Sequence, residues 1–287
     1  MKVAVAGTQT VVGRCAVPGL QAAGHEVVDL GRSVSALLDV DAMTEAMRGC
    51  DALVNVSAQL PVGAAARWKR SWRTHDLLRS EGVRSLVTAA RAAGVRRVVQ
   101  QSVSFVYADH GEEWVTERSP LCVTAATEPA SVGEHVVQDF ASPCRTGVVL
   151  RMGLVLGDSK LTRWSLQAAA HGRPVGLGEP GGFIHIIHSD DVSASIEAAL
   201  TAPSGVFNVG AEPVRRQLLV DGYAAAVGQN QGGFVRSWLA GRRLEPLTRS
   251  LRVSSSSFNR ETGWAPRRPE FDLSWLTAAQ PEPAGSR

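Results

Sequence analysis

The opening fourteen residues, MKVAVAGTQTVVGR, constrain what this chain can fold into more than any other stretch. Val3 to Ala6 is a short apolar run, Gly7 begins a tight polar turn, and an apolar helical run opens at Val11. Strand, glycine turn and helix in that order form the entry to a dinucleotide-binding unit, whose first helix aims its N-terminal amides at a pyrophosphate. The residues expected to face the phosphates are Gly7, Thr8, Thr10, Val11, Val12 and Gly13. In G-x-x-G-x-x-G spacing, however, Thr10 takes the place of the middle glycine. A β-branched side chain there is expected to crowd a phosphate or hold it farther off. A plain strand-turn-helix without a ligand is the alternative reading.

Composition narrows the class. At 287 residues the chain can form one large α/β domain, or one domain plus a lobe, with a substantial core. The net charge is +3 and the basic residues are dispersed among acids. That balance gives no footprint for nucleic acid or for a membrane surface. No apolar run approaches the ~18 residues of a membrane span, and no charged segment leads into a long apolar one. Cys15, Cys50, Cys122 and Cys144 stand at unrelated spacings, so they are expected to be reduced, mostly buried thiols of a cytoplasmic protein.

Along the chain, Gly24-His25 turns into a second strand, Glu26 to Leu30. At its end an acid holds a ribose 2'-hydroxyl and an arginine tolerates a 2'-phosphate, so Arg32 argues for NADP; a solvated loop arginine is the alternative. Asp39-Val40-Asp41 starts a helix to Arg48, which Asp39 can cap. Asp39 and Val40, with Ser57 after a third strand at Ala52 to Val56, complete the expected cofactor contacts. Pro61 and Gly63 precede a long amphipathic run, Ala65 to Ala93, and a fourth strand follows at Val98 to Gln101. Strands separated by helices of this length imply parallel pairing with right-handed crossovers. The loops Gly7–Gly13, Ser57–Leu60 and Ser102–His110 should then face one crevice beyond the carboxyl ends of the strands.

GTQTVVGR at 7 to 14, DVDAMTEAMRGCDALVNVSA at 39 to 58 and GVRRVVQQSVSFVYADHG at 94 to 111 carry a family resemblance. So do VVLRMGLVLG at 148 to 157, IIHSDDVSASIEAAL at 186 to 200, GVFNVG at 205 to 210 and ETGWAPRRP at 261 to 269. In order and spacing the chain resembles the extended short-chain dehydrogenase/reductase superfamily, in its NAD-dependent epimerase/dehydratase branch. The resemblance implies an α/β fold: a Rossmann-type doubly wound parallel sheet with a small C-terminal substrate lobe. The expected division is 1–157 for the nucleotide-binding domain and 158–279 for a lobe with returning Rossmann elements near 183–210. The tail 280–287 is expected to be disordered.

In that family hydride transfer uses a Tyr-x-x-x-Lys pair, the lysine lowering the tyrosine pKa and holding the nicotinamide ribose. Here the tyrosines are Tyr107 and Tyr223, and the residues four places on are Gly111 and Val227. Counting back from Glu134, which resembles the family's acidic helix position, places the pair at Ala126 and Ala130. The only lysines are Lys2, Lys69 and Lys160, so no small shift restores it.

The remaining catalytic candidates each have a structural alternative. Ser102 and Ser104 lie near the family's serine, or bond local backbone. Tyr107 could reach the crevice, or pack its ring under the loop with a wet hydroxyl. His75 lies near a family asparagine and could act as a base near neutral pH, or sit on a helix surface beside Asp76. His110 with Glu112 and Glu113 is the richest acid/base cluster, or a solvated loop. His185 and His188 would point to opposite faces of a strand and are read as structural, with Ser189 or Asp190 capping the next helix. The tryptophans Trp164, Trp238, Trp264 and Trp275 are expected first in core packing. No cluster has zinc spacing and no G-x-S-x-G occurs, so no metal is expected.

These features predict a small-molecule enzyme, possible as a homodimer, that has left ordinary hydride chemistry for cyclisation, isomerisation, dehydration or elimination, of the kind found in bacterial secondary metabolism. An NADP-dependent reductase or epimerase with a relocated proton donor is the second reading. A non-catalytic cofactor sensor is the third.

Overall fold

A computed structural model describes residues 1–31 and 33–277. Its centre is a six-stranded parallel sheet made of β1 (Lys2–Ala6), β2 (Glu26–Asp29), β3 (Ala52–Asn55), β4 (Arg97–Val103), β5 (Thr146–Met152) and β6 (Gly205–Val209). The spatial order is β2-β1-β3-β4-β5-β6. The short apolar runs of β1, β3 and β4 lack polar alternation because helices cover both faces of the sheet.

Of six longer helices, α1 (Val11–Ala22), α2 (Val83–Ala92), α3 (Glu128–Gln138) and α5 (Ser189–Ala199) cover the sheet, while α4 (Lys160–Ala170) and α6 (Arg216–Ala226) pack in a separate core. Val3, Val5, Val54, Val99, Val148 and Leu150 point to one face, where Val12, Ala16 and Leu20 of α1 and Val192 and Ile196 of α5 cover them. Ala4, Leu53, Val98 and Val149 point to the other, under Leu86, Val87 and Ala90 of α2 and Val137 of α3. Period-two alternation along buried strands thus builds the two cores of a doubly wound sheet. The strand order reverses between β1 and β3, which places the ligand crevice beyond their carboxyl ends.

The lobe has its own core of Leu156, Leu166, Ile186, Leu219, Tyr223, Trp275 and Leu276. Short ladders tie it to the sheet: Leu154–Leu156 pairs with Ile186–His188, Phe183–Ile184 with Val214–Arg215, and Trp114–Val115 with Arg252–Val253. Phe258 and Trp264 return to the sheet core. Trp264 and Trp275 therefore both pack, as expected of tryptophan.

Several local expectations need correction. The run Ala65 to Ala93 is not one helix: 3-10 turns occupy Gly63–Arg67 and Lys69–Trp72, and α-helix starts at Arg73, with a π-type stretch at Leu78–Gly82. Trp68 adopts extended backbone between the two turns, which interrupts the amphipathic pattern. The Asp39-capped helix is Val40–Ala46, and a further short helix, Val34–Leu38, precedes it. His188, not Ser189 or Asp190, caps α5, its Nδ1 accepting the Asp190 N–H at 3.2 Å. Of the four thiols, all free, Cys122 and Cys144 are exposed, so burial is not general. Among the described residues no helix is long and apolar enough to cross a membrane. Arg32 and the tail 280–287 lie outside the described residues.

Candidate active site

The turn after β1 is built around two glycines with no room for a side chain. Gly7 has φ +89°, and a Cβ there would stand 2.5 Å from the Ser57 Cα; one on Gly13 would stand 2.2 Å from the Gly7 carbonyl oxygen. The first clash fixes how closely β1's loop approaches β3's, and the second how closely α1 enters the turn. Thr10 does more than occupy the middle place. Its Oγ1 accepts the Gly13 N–H at 3.0 Å and donates to the carbonyls of Gly7 (2.8 Å) and Val56 (3.1 Å). The hydroxyl is thus turned into the fold as the N-cap of α1, a use of threonine that spacing alone did not reveal.

With Gly13 capped, the amides of Val11 and Val12 have no intrahelical acceptor and no acid occupies the helix's first turn, the arrangement that receives a phosphate. Thr8 donates to Asp29 Oδ1 at 3.1 Å, and the same carboxylate oxygen accepts the Gly31 N–H at 2.8 Å. Asp29, the last residue of β2, was missed by looking only beyond the strand; its distance from the glycine turn was the available signal. Asp39 caps its helix through the Ala42 N–H at 3.0 Å, and Val40 is that helix's first residue. Ser57 is buried and donates to Asn55 Oδ1 at 2.6 Å, so its backbone, not its hydroxyl, borders the turn.

At the carboxyl ends of β4, β5 and β6 lies a buried polar network. Glu134 accepts from Ser102 Oγ and, in bidentate fashion, from Arg151 (Nε 3.0 Å, Nη2 2.6 Å). Burial alone would lower the Arg151 guanidinium, but the hydrogen bonds and charge of Glu134 raise it above its usual range. The guanidinium also lies 4.8 Å over the Tyr107 ring. Tyr107 is fully buried and its hydroxyl donates to Asn208 Oδ1 at 2.8 Å. Its hydroxyl is therefore neither wet nor free for a substrate, and burial raises its pKa. Ser104 is buried too, with no partner for Oγ among the described residues.

Ala126 precedes α3 and Ala130 lies in its first turn, both half-buried. Beside them Arg243, from the lobe, donates from Nη1 to the Ala125 carbonyl at 2.9 Å and from Nη2 to Asp76. Its Cζ lies 4.6 Å over the Trp72 ring, against which His75 sets its own ring edge-on at 5.4 Å. Arg79, four residues on from His75, is 4 % exposed and donates to the Gln101 carbonyl at 2.5 Å. Burial, then the charges of Arg79 and Arg243, lower His75 to about 3. The half-buried ring is thus held uncharged at neutral pH, which speaks against the base among the two alternatives for His75. Arg79 and Arg243 gave no signal in the sequence, since a helical arginine is ordinarily a surface residue.

His110 does not join this group. It sits on the loop whose backbone meets Ser250, and its neighbour Glu112 forms a bidentate pair with Arg215 at 2.5 and 2.7 Å. The acid/base cluster at 110–113 is therefore divided: Glu112 is held in an ion pair, Glu113 is exposed, and the half-buried His110 keeps its Nε2 out of solvent with no partner among the described residues. Among the described residues no group of three or more His, Cys, Asp or Glu side chains is placed to hold a metal.

The sequence profile of the NAD dependent epimerase/dehydratase family matches residues 3–210. A curated relative, 3-diazoavenalumate denitrifying reductase from a Streptomyces species, is 29% identical over 299 residues, covering 94% of this chain and 98% of that protein. Among solved structures, human epimerase family protein SDR39U1 with NADPH superposes with TM-score 0.82 at 22% identity, covering 97% of this chain and 99% of that one. The Thermus thermophilus UDP-glucose 4-epimerase complex with NAD gives 0.77 at 20% identity, covering 97% of both chains.

Proposed function

Because the chain belongs to the NAD-dependent epimerase/dehydratase family, we propose that it is an NADPH-dependent reductase whose substrate accepts hydride without a proton from the protein. The observation that carries this reading is a glycine turn shaped for a dinucleotide in a chain with alanines, Ala126 and Ala130, at the positions where the family's proton-relay pair is expected. The relative's printed name, a reductase that removes nitrogen from a diazo acid, supports it.

The cofactor fits the residues present. Gly7 and Gly13 leave the turn clear of side chains, and the Val11 and Val12 amides would hold the pyrophosphate; at the end of β2, Asp29 would suit a ribose hydroxyl, and Arg32, outside the described residues, is the sequence's argument for a 2'-phosphate. A bound reduced nicotinamide supplies hydride. An arenediazonium substrate would take that hydride at the ring carbon and lose dinitrogen, which would carry away the electron pair of the broken C–N bond. Charge balances without a proton, since a cation and a hydride give two neutral products. Tyrosine and lysine are then dispensable, and Ser102, Tyr107 and Glu134 serve to hold the ends of β4 and β5 rigid under the substrate.

The test is NADPH titration followed by turnover. Binding tighter than about 100 µM, near 5.5 kcal/mol, with NADPH oxidation matched to dinitrogen release from a diazo aromatic acid, supports the reading. Turnover of a substrate without NADPH overturns it in favour of cyclisation, isomerisation or elimination.

A further inference from the structure

We propose that Arg79, Arg243 and His75, beside the start of α3 at Ala126 and Ala130, form a subsite for a carboxylate of the substrate. It deepens the reading above by naming a substrate class, but it is measured by binding and stands or falls separately from hydride transfer.

Three buried nitrogens there have no partner among the described residues: Arg79 Nε, Arg243 Nε and His75 Nδ1. The charges of both arginines act on the His75 ring. The stretch 73–82 packs along α3; a Cβ on Gly133, one turn beyond Ala130, would stand 2.6 Å from the Arg79 carbonyl oxygen. Arg243 reaches the Ala125 carbonyl from the opposite side, and Trp72 carries both Arg243 and His75. Buried donors without acceptors are costly, so three in one spot mark a place where an acceptor belongs.

Charge says which acceptor. Arg79 and Arg243 bring two positive charges. Asp76 is the one carboxylate in contact with them, while Glu134 is committed to Arg151. Lys69 also acts on Asp76 and the Glu134 charge acts on Arg79, so the group keeps a net positive charge where burial lowers Arg79 to about 10. A single negative charge would complete it, whereas a dianion would meet Asp76 at close range. Guanidinium N–H groups match the planar carboxylate, and an uncharged His75 in its Nδ1–H form adds one more donor. Ala126 and Ala130, both half-buried, carry methyls where the family resemblance would put longer side chains.

Isothermal titration of the full chain with NADPH, using 4-hydroxycinnamate, its methyl ester and inorganic phosphate, tests this. The acid is expected to bind at least about tenfold more tightly than the ester, a difference of about 1.4 kcal/mol, with no displacement by phosphate. Arg243→Gln should abolish the acid's advantage over the ester, and Arg243→Lys should restore part of it. Equal binding of acid and ester, absence of binding by both, or competition by phosphate overturns the subsite. The wild-type comparison needs no variant to fold. Acid selectivity in a protein that fails to oxidise NADPH would leave the subsite intact and sink only the reductase reading.

Discussion

Thr10 separates the two roles that its position allows. Thr10→Val keeps the shape and removes the hydroxyl; Thr10→Ser keeps the hydroxyl and removes the methyl. The hydroxyl accepts one hydrogen bond, from Gly13 N–H, and shares its proton between two carbonyls. Loss of the cap costs about 1 kcal/mol, and loss of the donated bond about 1 kcal/mol more. The valine variant should therefore be less stable by roughly 2 kcal/mol, a fall in Tm of about 4–8 °C at 2–4 °C per kcal/mol for a chain of this size class. Urea denaturation followed by tryptophan fluorescence measures the first, and a thermal melt the second. NADPH affinity should weaken several-fold in the valine variant, because the amides of Val11 and Val12 are presented by the capped turn. The serine variant should match the parent in stability and bind NADPH equally or better. A valine variant within about 0.5 kcal/mol of the parent would refute the capping account.

Other perturbations test other parts of the frame. Gly7→Ala combines φ +89° with a backbone contact at 2.5 Å, so the left-handed penalty of about 1–2 kcal/mol adds to a displacement of β3's loop; little folded protein should be recovered on expression. Arg151→Met should cost about 3–5 kcal/mol by leaving Glu134 buried without its cation, and the double variant Arg151→Met/Glu134→Leu should recover part of that in urea denaturation. Tyr107→Phe should leave NADPH-dependent turnover within about twofold, because its hydroxyl is engaged by Asn208, and lower stability by about 1 kcal/mol. Burial holds His185 down at about 3, against 6.5 when free. Its unfolded form therefore binds a proton below pH 6.5 that the folded form refuses, so stability is full above that pH and falls as pH drops towards 3. The loss is about 2 kcal/mol at pH 5, and urea denaturation of His185→Leu at pH 7 and pH 5 should show a shallower decline.

Much of the frame was legible because it rests on local signals. Gly7 and Gly13 mark a turn whose close contacts only glycine permits, and the apolar runs at 3–6 and 52–55 admit little but buried parallel strands. The site was less so. Thr10 reads as a flaw in a fingerprint until its hydroxyl is seen capping α1. Arg79 looks like any helical arginine until the π-type stretch at Leu78–Gly82 places it against β4. Arg243 reaches Asp76 and Ala125 across more than a hundred residues, a pairing that no periodicity encodes. His75 was read for its ordinary basicity, which two neighbouring cations and burial remove. Tyr107 was read as a loop residue, although the Arg151–Glu134 pair and Asn208 fix it in a core.

The central claim is that the scaffold keeps nicotinamide chemistry while the protein supplies no proton in the bond-making step. Turnover of a diazo aromatic acid with NADPH deuterated at the transferring position, run in H2O and in D2O, tests it most directly. The account predicts deuterium at the ring carbon of the product, a slower rate with the labelled cofactor, and a solvent isotope effect near unity. A product free of cofactor deuterium, with a rate that falls severalfold in D2O, would contradict it.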